Sequence, residues 1–241
     1  MSRVQLALNV DNLEESIGFY SKLFSTDPAK VRPGYANFAV AEPPLKLVLI
    51  ENPGQGGSIN HLGVEVPDTD TVDAEQIRLA GAGFAVLVTD VRDLADVPAV
   101  VRRLADAAGV PVPSIEAPVG SATEWASAIV PIWRRPWMLL GPGTYGASVL
   151  AALGVDVWSP TGGRYDEVAL DDLAAAERAD GDLFLLAPTE PYAFREAHLA
   201  ELAAAAPTAT VHVVDGQDLF WWGTRTPGAL TRLRTQLRPS L

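Results

Sequence analysis

Apolar and polar positions first alternate with a period of two. Val4, Leu6, Leu8 and Val10 fall on one side of an extended segment, which predicts a strand over residues 4–10. The period then lengthens. Leu13, Ile17, Tyr20 and Phe24 recur at helical spacing, behind Asp11 as a candidate cap and with Glu14 and Glu15 in the first turn. Two more extended segments follow, 35–40 and 45–50, separated by Pro43-Pro44, and a Pro/Gly loop covers 53–57. The pattern then restarts. Gln5-Leu-Ala-Leu-Asn-Val-Asp is echoed 56 residues on by His61-Leu-Gly-Val-Glu-Val-Pro-Asp, with a second helical pattern over 72–80. Repeated units of this kind pack against each other. The second copy of this βαβββ-like unit is not completed in kind.

Beyond it, strand-length and helix-length patterns alternate. Residues 85–89 are continuous and β-branched, which predicts a strand. A helix is expected over 94–108 with Val97, Val100, Val101 and Leu104 on one face. A Pro/Gly-rich connector spans 110–122. The apolar run 137–140 reads as a buried strand stopped by Gly141-Pro142-Gly143. Thr144 is placed to cap a helix over 145–153 that ends at Gly154. A loop entering a short helix (164–173), a strand (182–187), an Ala-rich helix (194–206), a strand (210–214) and a last helix (228–237) complete the chain. The expected fold class is α/β: a partial βαβββ module over 1–84, then a mainly parallel three-layer α/β lobe over 85–241, with the seam between about 70 and 90.

Composition narrows the chemistry. Residues 1–84 hold 6 Lys+Arg against 11 Asp+Glu, and 85–241 hold 12 against 19, so both parts are acidic. That argues against nucleic acid and against anionic membrane surfaces. No cysteine is present, which removes disulfides, thiolate metal sites and cysteine nucleophiles. No apolar stretch reaches membrane-spanning length and no leader-like segment opens the chain, so a cytoplasmic location is expected. No Gly-x-Ser-x-Gly elbow, phosphate loop or GxGxxG occurs.

Two groups of residues carry candidate chemistry. Gln5 and His61 open the two repeated strands at equivalent positions, where two donors can converge on one divalent metal; a strand-end histidine with ordinary hydrogen bonds is the alternative. In the second part, three βα loops bring Thr144-Tyr145, Tyr192, and Trp221-Trp222 with Arg225 toward one sheet edge. This is a mixture of aromatics and polar groups suited to a ligand mouth. The alternative is that these aromatics pack the loops or an oligomer interface.

The first part resembles the vicinal oxygen chelate superfamily, which includes glyoxalase and bleomycin-resistance proteins, and within it the cadmium-induced and organoarsenical lyase branch. The resemblance rests on Val4-Gln-Leu-Ala-Leu-Asn-Val, Phe19-Tyr-Ser-Lys-Leu-Phe, Lys30-Val-Arg-Pro-Gly-Tyr-Ala-Asn-Phe, Pro44-Leu-Lys-Leu-Val-Leu-Ile-Glu and Asn60-His-Leu-Gly-Val-Glu-Val. It implies a divalent metal held between two modules, with Gln5 and His61 matching two ligands. The family's third ligand, a glutamate from a late strand, has no matching context here, and its cysteine pair for thiophilic substrates is absent. Residues from about 72 to 241 resemble the helical-backbone metal receptors, which hold cobalamin, haem or ferric siderophores. Val86-Leu-Val-Thr-Asp-Val-Arg, Pro131-Ile-Trp-Arg-Arg-Pro-Trp-Met, Glu190-Pro-Tyr-Ala-Phe-Arg-Glu-Ala-His-Leu and Asp218-Leu-Phe-Trp-Trp-Gly-Thr-Arg-Thr-Pro carry it. That resemblance implies ligand contacts at Tyr145 and Trp221, with the N-terminal lobe of such receptors missing.

The expected function is therefore non-catalytic binding of a small-molecule metal chelate, such as a corrinoid, by the C-terminal lobe. The alternative is metal-dependent vicinal oxygen chelate chemistry of lyase or dioxygenase type, or a metal- or arsenical-responsive role, in the N-terminal module. A fusion with neither activity intact is the third reading. Uncovered strand edges in a half-module lead us to expect either a homodimer or exposed apolar surface, without nucleic-acid or membrane partners.

Overall fold

The computed structural model describes residues 3–66, 68–115, 122–176 and 181–238. Pro67 of the repeated segment and residues 116–121 of the connector lie outside the described residues. The chain divides into two compact units, Met1–Val86 and Leu87–Leu241.

In the first unit, β1 (Arg3–Val10) leads into α1 (Leu13–Phe24), followed by β2 (Lys30–Arg32), β3 (Tyr35–Val40), β4 (Leu45–Glu51), β5 (Ile59–Glu65) and α2 (Thr69–Gly81). The sheet order is β2-β3-β4-β1-β5, with β1 parallel to β4 and every other pair antiparallel. The period-two pattern decides which face is buried. Val10, Ala36, Phe38, Val40, Leu47 and Leu49 pack beneath α1, while Gln5, Lys46 and His61 lie on the opposite, polar face. The helix start differs by one residue from expectation. Asn12 is the cap, its side chain accepting from the Glu15 amide at 3.0 Å. Asp11 instead accepts from the amides of Gly54 and Gly56 and fixes the loop before β5. The repeated helix α2 buries none of its side chains.

In the second unit, a short 3-10 turn (Leu94–Asp96) precedes α3 (Val97–Ala108). Then come β6 (Ala126–Ile129), β7 (Pro131–Trp133), β8 (Trp137–Leu140), α4 (Tyr145–Ala152), β9 (Val155–Val157) and β10 (Tyr165–Val168). A second 3-10 segment (Leu170–Ala176) is followed by β11 (Asp182–Pro188), α5 (Glu196–Ala205), β12 (Thr210–Val214), α6 (Gly216–Phe220) and α7 (Thr226–Leu237). The sheet β12-β11-β6-β9 is parallel throughout. Its strands send alternate residues to two cores. Phe184 and Leu186 join α3, α4 and α7 on one face, and Leu183, Leu185 and Ala187 join α5 on the other. This is the three-layer α/β arrangement, and such two-sided burial explains the near-continuous apolar run of β11.

Three expectations are corrected. Residues 85–89 form no strand, and Val86, Leu87 and Val88 are exposed. Strand preference expresses packing on neighbouring strands, and none lies beside this run among the described residues. The strand 137–140 exists, but it belongs to a separate antiparallel sheet, β10-β8-β7. Consequently the Thr144-Tyr145 loop does not leave the parallel sheet; only those after β11 and β12 do. Finally, the expected loop at 164 contains strand β10, paired with β8. Among the described residues no helix is long and apolar enough to cross a membrane.

Candidate functional site

Two places gather chemistry, one in each unit. On the polar face of the first sheet, antiparallel pairing sets Ala7 opposite His61 and Gln5 opposite Gly63, so Gln5 and His61 are diagonal neighbours on one face. Gln5 Nε2 lies 2.9 Å from His61 Nε2. His61 Nδ1 lies 2.9 Å from Asn60 Oδ1, which assigns the proton to Nδ1 and leaves Nε2 accepting from the Gln5 amide. The chain of bonds continues: Asn60 donates to Asn9, Asn9 to Ser58, and Ser58 to the Gln55 carbonyl. The imidazole is thus held from behind in the neutral tautomer a metal ligand needs, as outer-shell partners commonly do.

The donor set itself is short. Glu65 shares the polar face but lies four residues along β5 from His61, where Arg3 and Lys46 engage it. The Arg3 guanidinium, assisted by Lys46, holds its carboxyl below the usual range. No group of three His, Asp or Glu side chains suited to a metal occurs among the described residues. Catalytic sites usually present three protein ligands, so Gln5 and His61 of one chain do not make a complete site. Isothermal titration of Mn²⁺ or Zn²⁺ into dilute, monomeric protein should accordingly give no one-to-one site of micromolar or tighter affinity. Such a site, abolished in His61→Ala, would overturn this account.

In the second unit, a cleft of about 330 Å³ is lined by Ile132, Leu140, Tyr165, Glu190, Pro191, Phe220 and Trp221. Trp221 follows α6, its amide accepted by the Gln217 carbonyl, and the residue remains 52% exposed. Tyr165 is similarly exposed, with the Arg164 guanidinium over its ring. Glu190 is buried at the cleft. Its loop is pinned from below: a Cβ on Gly216 would come within 2.5 Å of Glu190 Cγ, so only glycine lets α6 start there.

The other expected contact residues are placed differently. Thr144 is buried, accepting from the Ala147 amide and donating to the Gly141 carbonyl as the cap of α4. Tyr145 is also buried, its hydroxyl 3.1 Å from Thr226 Oγ1, and burial raises its phenol above the ordinary range. Trp222 packs against the core. Arg225 binds Gln217 and Asp218. Tyr192 lies in an aromatic cluster with Trp133, Phe194 and His198. Of the six, Trp221 alone lines the cleft. Tyr165, Phe220, Glu190 and Ile132 were not anticipated. The exposed Tyr165 beside Arg164, on a strand read as loop, was the missed signal.

Asp218 ties this corner together. It is 2% exposed and accepts from both Arg225 and Arg232, bracing α6 against α7 on either side of the Trp221–Trp222 corner.

Known proteins similar to this chain are of two kinds. The sequence profile of the Glyoxalase/Bleomycin resistance protein/Dioxygenase superfamily matches residues 3–112. The cadmium-induced protein CadI of Mycobacterium tuberculosis is 69% identical over 84 residues, 35% of this chain and 55% of that protein. A trivalent organoarsenical cleaving enzyme of Thermomonospora curvata is 65% identical over 88 residues, 36% of this chain and 58% of that enzyme. The chain thus spans little more than half the length of the curated relatives it matches. Among solved structures, the periplasmic heme-binding protein RhuT from Roseiflexus sp. RS-1 aligns with a TM-score of 0.52 and 16% identity, covering 72% of this chain and 73% of that one. Residues 3–112 thus resemble the Glyoxalase/Bleomycin resistance protein/Dioxygenase superfamily, and the chain shares its fold over 72% of its length with a periplasmic haem-binding protein.

Proposed function

We propose that the C-terminal unit binds a planar metal chelate, a corrinoid or a haem, without transforming it. The observation that carries this reading is the half-exposed indole of Trp221 on a cleft that also contains Tyr165, Phe220 and the buried Glu190. A macrocycle with apolar faces stacks on indole and phenol rings, and such aromatic contacts contribute about 0.5–1.5 kcal/mol each beyond burial. Concave, mostly apolar clefts with a few polar groups are the usual small-molecule sites. The fold relationship to a haem-binding protein supports the same class of ligand. One lobe offers one wall, so affinity should be near micromolar, about −8 kcal/mol.

Titrating cyanocobalamin and hemin separately while following tryptophan fluorescence tests the reading. Saturable quenching is expected for at least one of them, and Trp221→Ala should weaken it about tenfold, consistent with roughly 1.4 kcal/mol. Absence of saturation for both, or unchanged binding by a folded Trp221→Ala variant, would refute it.

A second reading is favoured by one observation, the supported Gln5–His61 pair on the polar sheet face. In it the N-terminal module performs metal-dependent chemistry of the oxygen-chelate class, or responds to metals or arsenicals, once a further carboxylate completes the donor set. Its relatives' names, a cadmium-induced protein and an organoarsenical cleaving enzyme, support that direction.

A further inference from the structure

The two edges of the N-terminal sheet are unlike. At one end β2 is three residues long and carries Lys30 and Arg32. A short, charged edge of that kind resists further pairing. At the other end β5 is seven residues long, with no Lys, Arg or Pro, and no described strand lies along its outer side. Its apolar residues are bare: Leu62 is 68% and Val64 66% exposed. The neighbouring face of β1 adds Val4, also exposed. The register irregularity against β1 falls between Ala7 and Leu8, so the regular part of β5 runs from His61 to Glu65 and is centred on Gly63.

We infer that β5 is the docking edge for a second copy of this chain, paired antiparallel with Gly63 on the two-fold axis. The sequence of the edge is self-complementary about that residue. With Gly63 opposite the partner's Gly63, Leu62 opposes the partner's Val64 on the apolar face, and His61 opposes the partner's Glu65 on the polar face. Each cross-strand pair then joins apolar with apolar or places a carboxylate beside an imidazole, and such cross-strand pairs are what stabilise an antiparallel ladder. A shift by one residue would turn apolar side chains onto the polar face, a shift by two would face His61 with glycine or proline, and a shift by four with a second imidazole. The isologous geometry closes after two copies.

The pairing matters for the candidate site because the partner contributes a residue to it. Gln5 and His61 supply two neutral donors, and the partner's Glu65 brings the carboxylate that one chain lacks. Arg3 and Lys46 occupy two of the roughly four acceptor positions of that carboxylate, which leaves others open toward the Gln5 and His61 pair. The surface is separate from the Trp221 cleft and does not depend on the chelate reading.

The absence of native cysteine makes the register directly measurable. Opposed residues of an antiparallel ladder have Cα atoms about 4.5–5.5 Å apart, within the roughly 4.4–6.8 Å that a disulfide spans. A Cβ at Gly63 meets nothing within 4 Å in its own chain. Under mild oxidation the full-length Gly63→Cys protein should convert to a covalent dimer, as should an equimolar mixture of His61→Cys and Glu65→Cys. Leu62→Cys alone should stay uncrosslinked. Light scattering of the parent should show a dimer, and Leu62→Asp/Val64→Asp, with unchanged circular dichroism, should dimerise at least tenfold more weakly. A parent that remains monomeric at high micromolar concentration overturns the proposal, and so does self-crosslinking of Leu62→Cys, which would require a different register.

Discussion

Asp218→Ala should lower the stability of the C-terminal unit by about 2–4 kcal/mol, read as a shift of the chemical-denaturation midpoint. Asp218 is almost fully buried and holds two guanidinium groups. Removing one partner of a buried ion pair costs about 3–5 kcal/mol when the remaining charge is stranded. Here Arg232 is half in water and Arg225 keeps Gln217, so the cost falls in the lower part of that range or somewhat below it. The effect also has a pH signature. The hydrogen-bonded Arg232 guanidinium, with Arg225, holds the Asp218 carboxyl below its ordinary range, against the opposing effect of burial. A carboxyl depressed in the folded state contributes its stability above its unfolded value, about 3.9, and loses it as pH falls through the lower folded value. The difference between parent and Asp218→Asn should thus be full at neutral pH and shrink below about pH 4. A difference constant down to pH 2 would mean that the carboxylate's charge is not what braces α6 against α7.

Gly141→Ala should be more damaging for its size than any other single-methyl change in the second unit. The added Cβ would sit 1.9 Å from the Gly163 carbonyl oxygen, a backbone atom. That carbonyl cannot step aside easily. The Gly141 amide donates to the neighbouring Arg164 carbonyl, and Asp166 grips the same turn through Ser159 and Thr161. The two hydroxyl donors hold the Asp166 carboxyl below its usual range. Overpacking of this kind costs about 1–3 kcal/mol and more where backbone must move, so a loss of about 3 kcal/mol or more is expected. In a unit of this size that lowers the melting temperature by roughly 6–12 °C. A calorimetric shift under 2 °C, a margin set from the same scaling, would show that the turn can open without penalty.

Gly141 also marks what was legible before the structure. The glycine stop after residues 137–140 announced a tight turn, and Thr144 announced a helix start; both stand. What the residues could not announce was the partner of the strand they followed. An apolar run of four looks the same in a parallel sheet and in an antiparallel hairpin, and the choice was made by β10, which begins 25 residues after β8 ends, in a segment read as loop. Strands β6 and β9, Ala-Ser-Ala-Ile and Val-Asp-Val, are too short and too small to register by pattern alone. In the first unit the long alternation of β1 and the helical spacing of α1 were decisive, and Gln5 and His61 were brought together as their repeated positions required. Tyr145 and Trp222 went inward because a hydroxyl or indole on a loop carries no mark of its own burial. Their partners, Thr226 and the core, lie 81 residues away or on other elements.

The order of strands along the chain has a consequence for synthesis on the ribosome. Unit one closes its sheet when β5 emerges, at Glu65. The parallel sheet cannot begin until β9, at Val155–Val157, is available to pair with β6. About 90 residues separate these events, roughly 5–18 s at about 5–20 residues per second. Through that interval a finished sheet with one unprotected edge is tethered to an unfinished chain, and on a crowded message the nearest surface able to pair with that edge is the same strand on the neighbouring nascent chain.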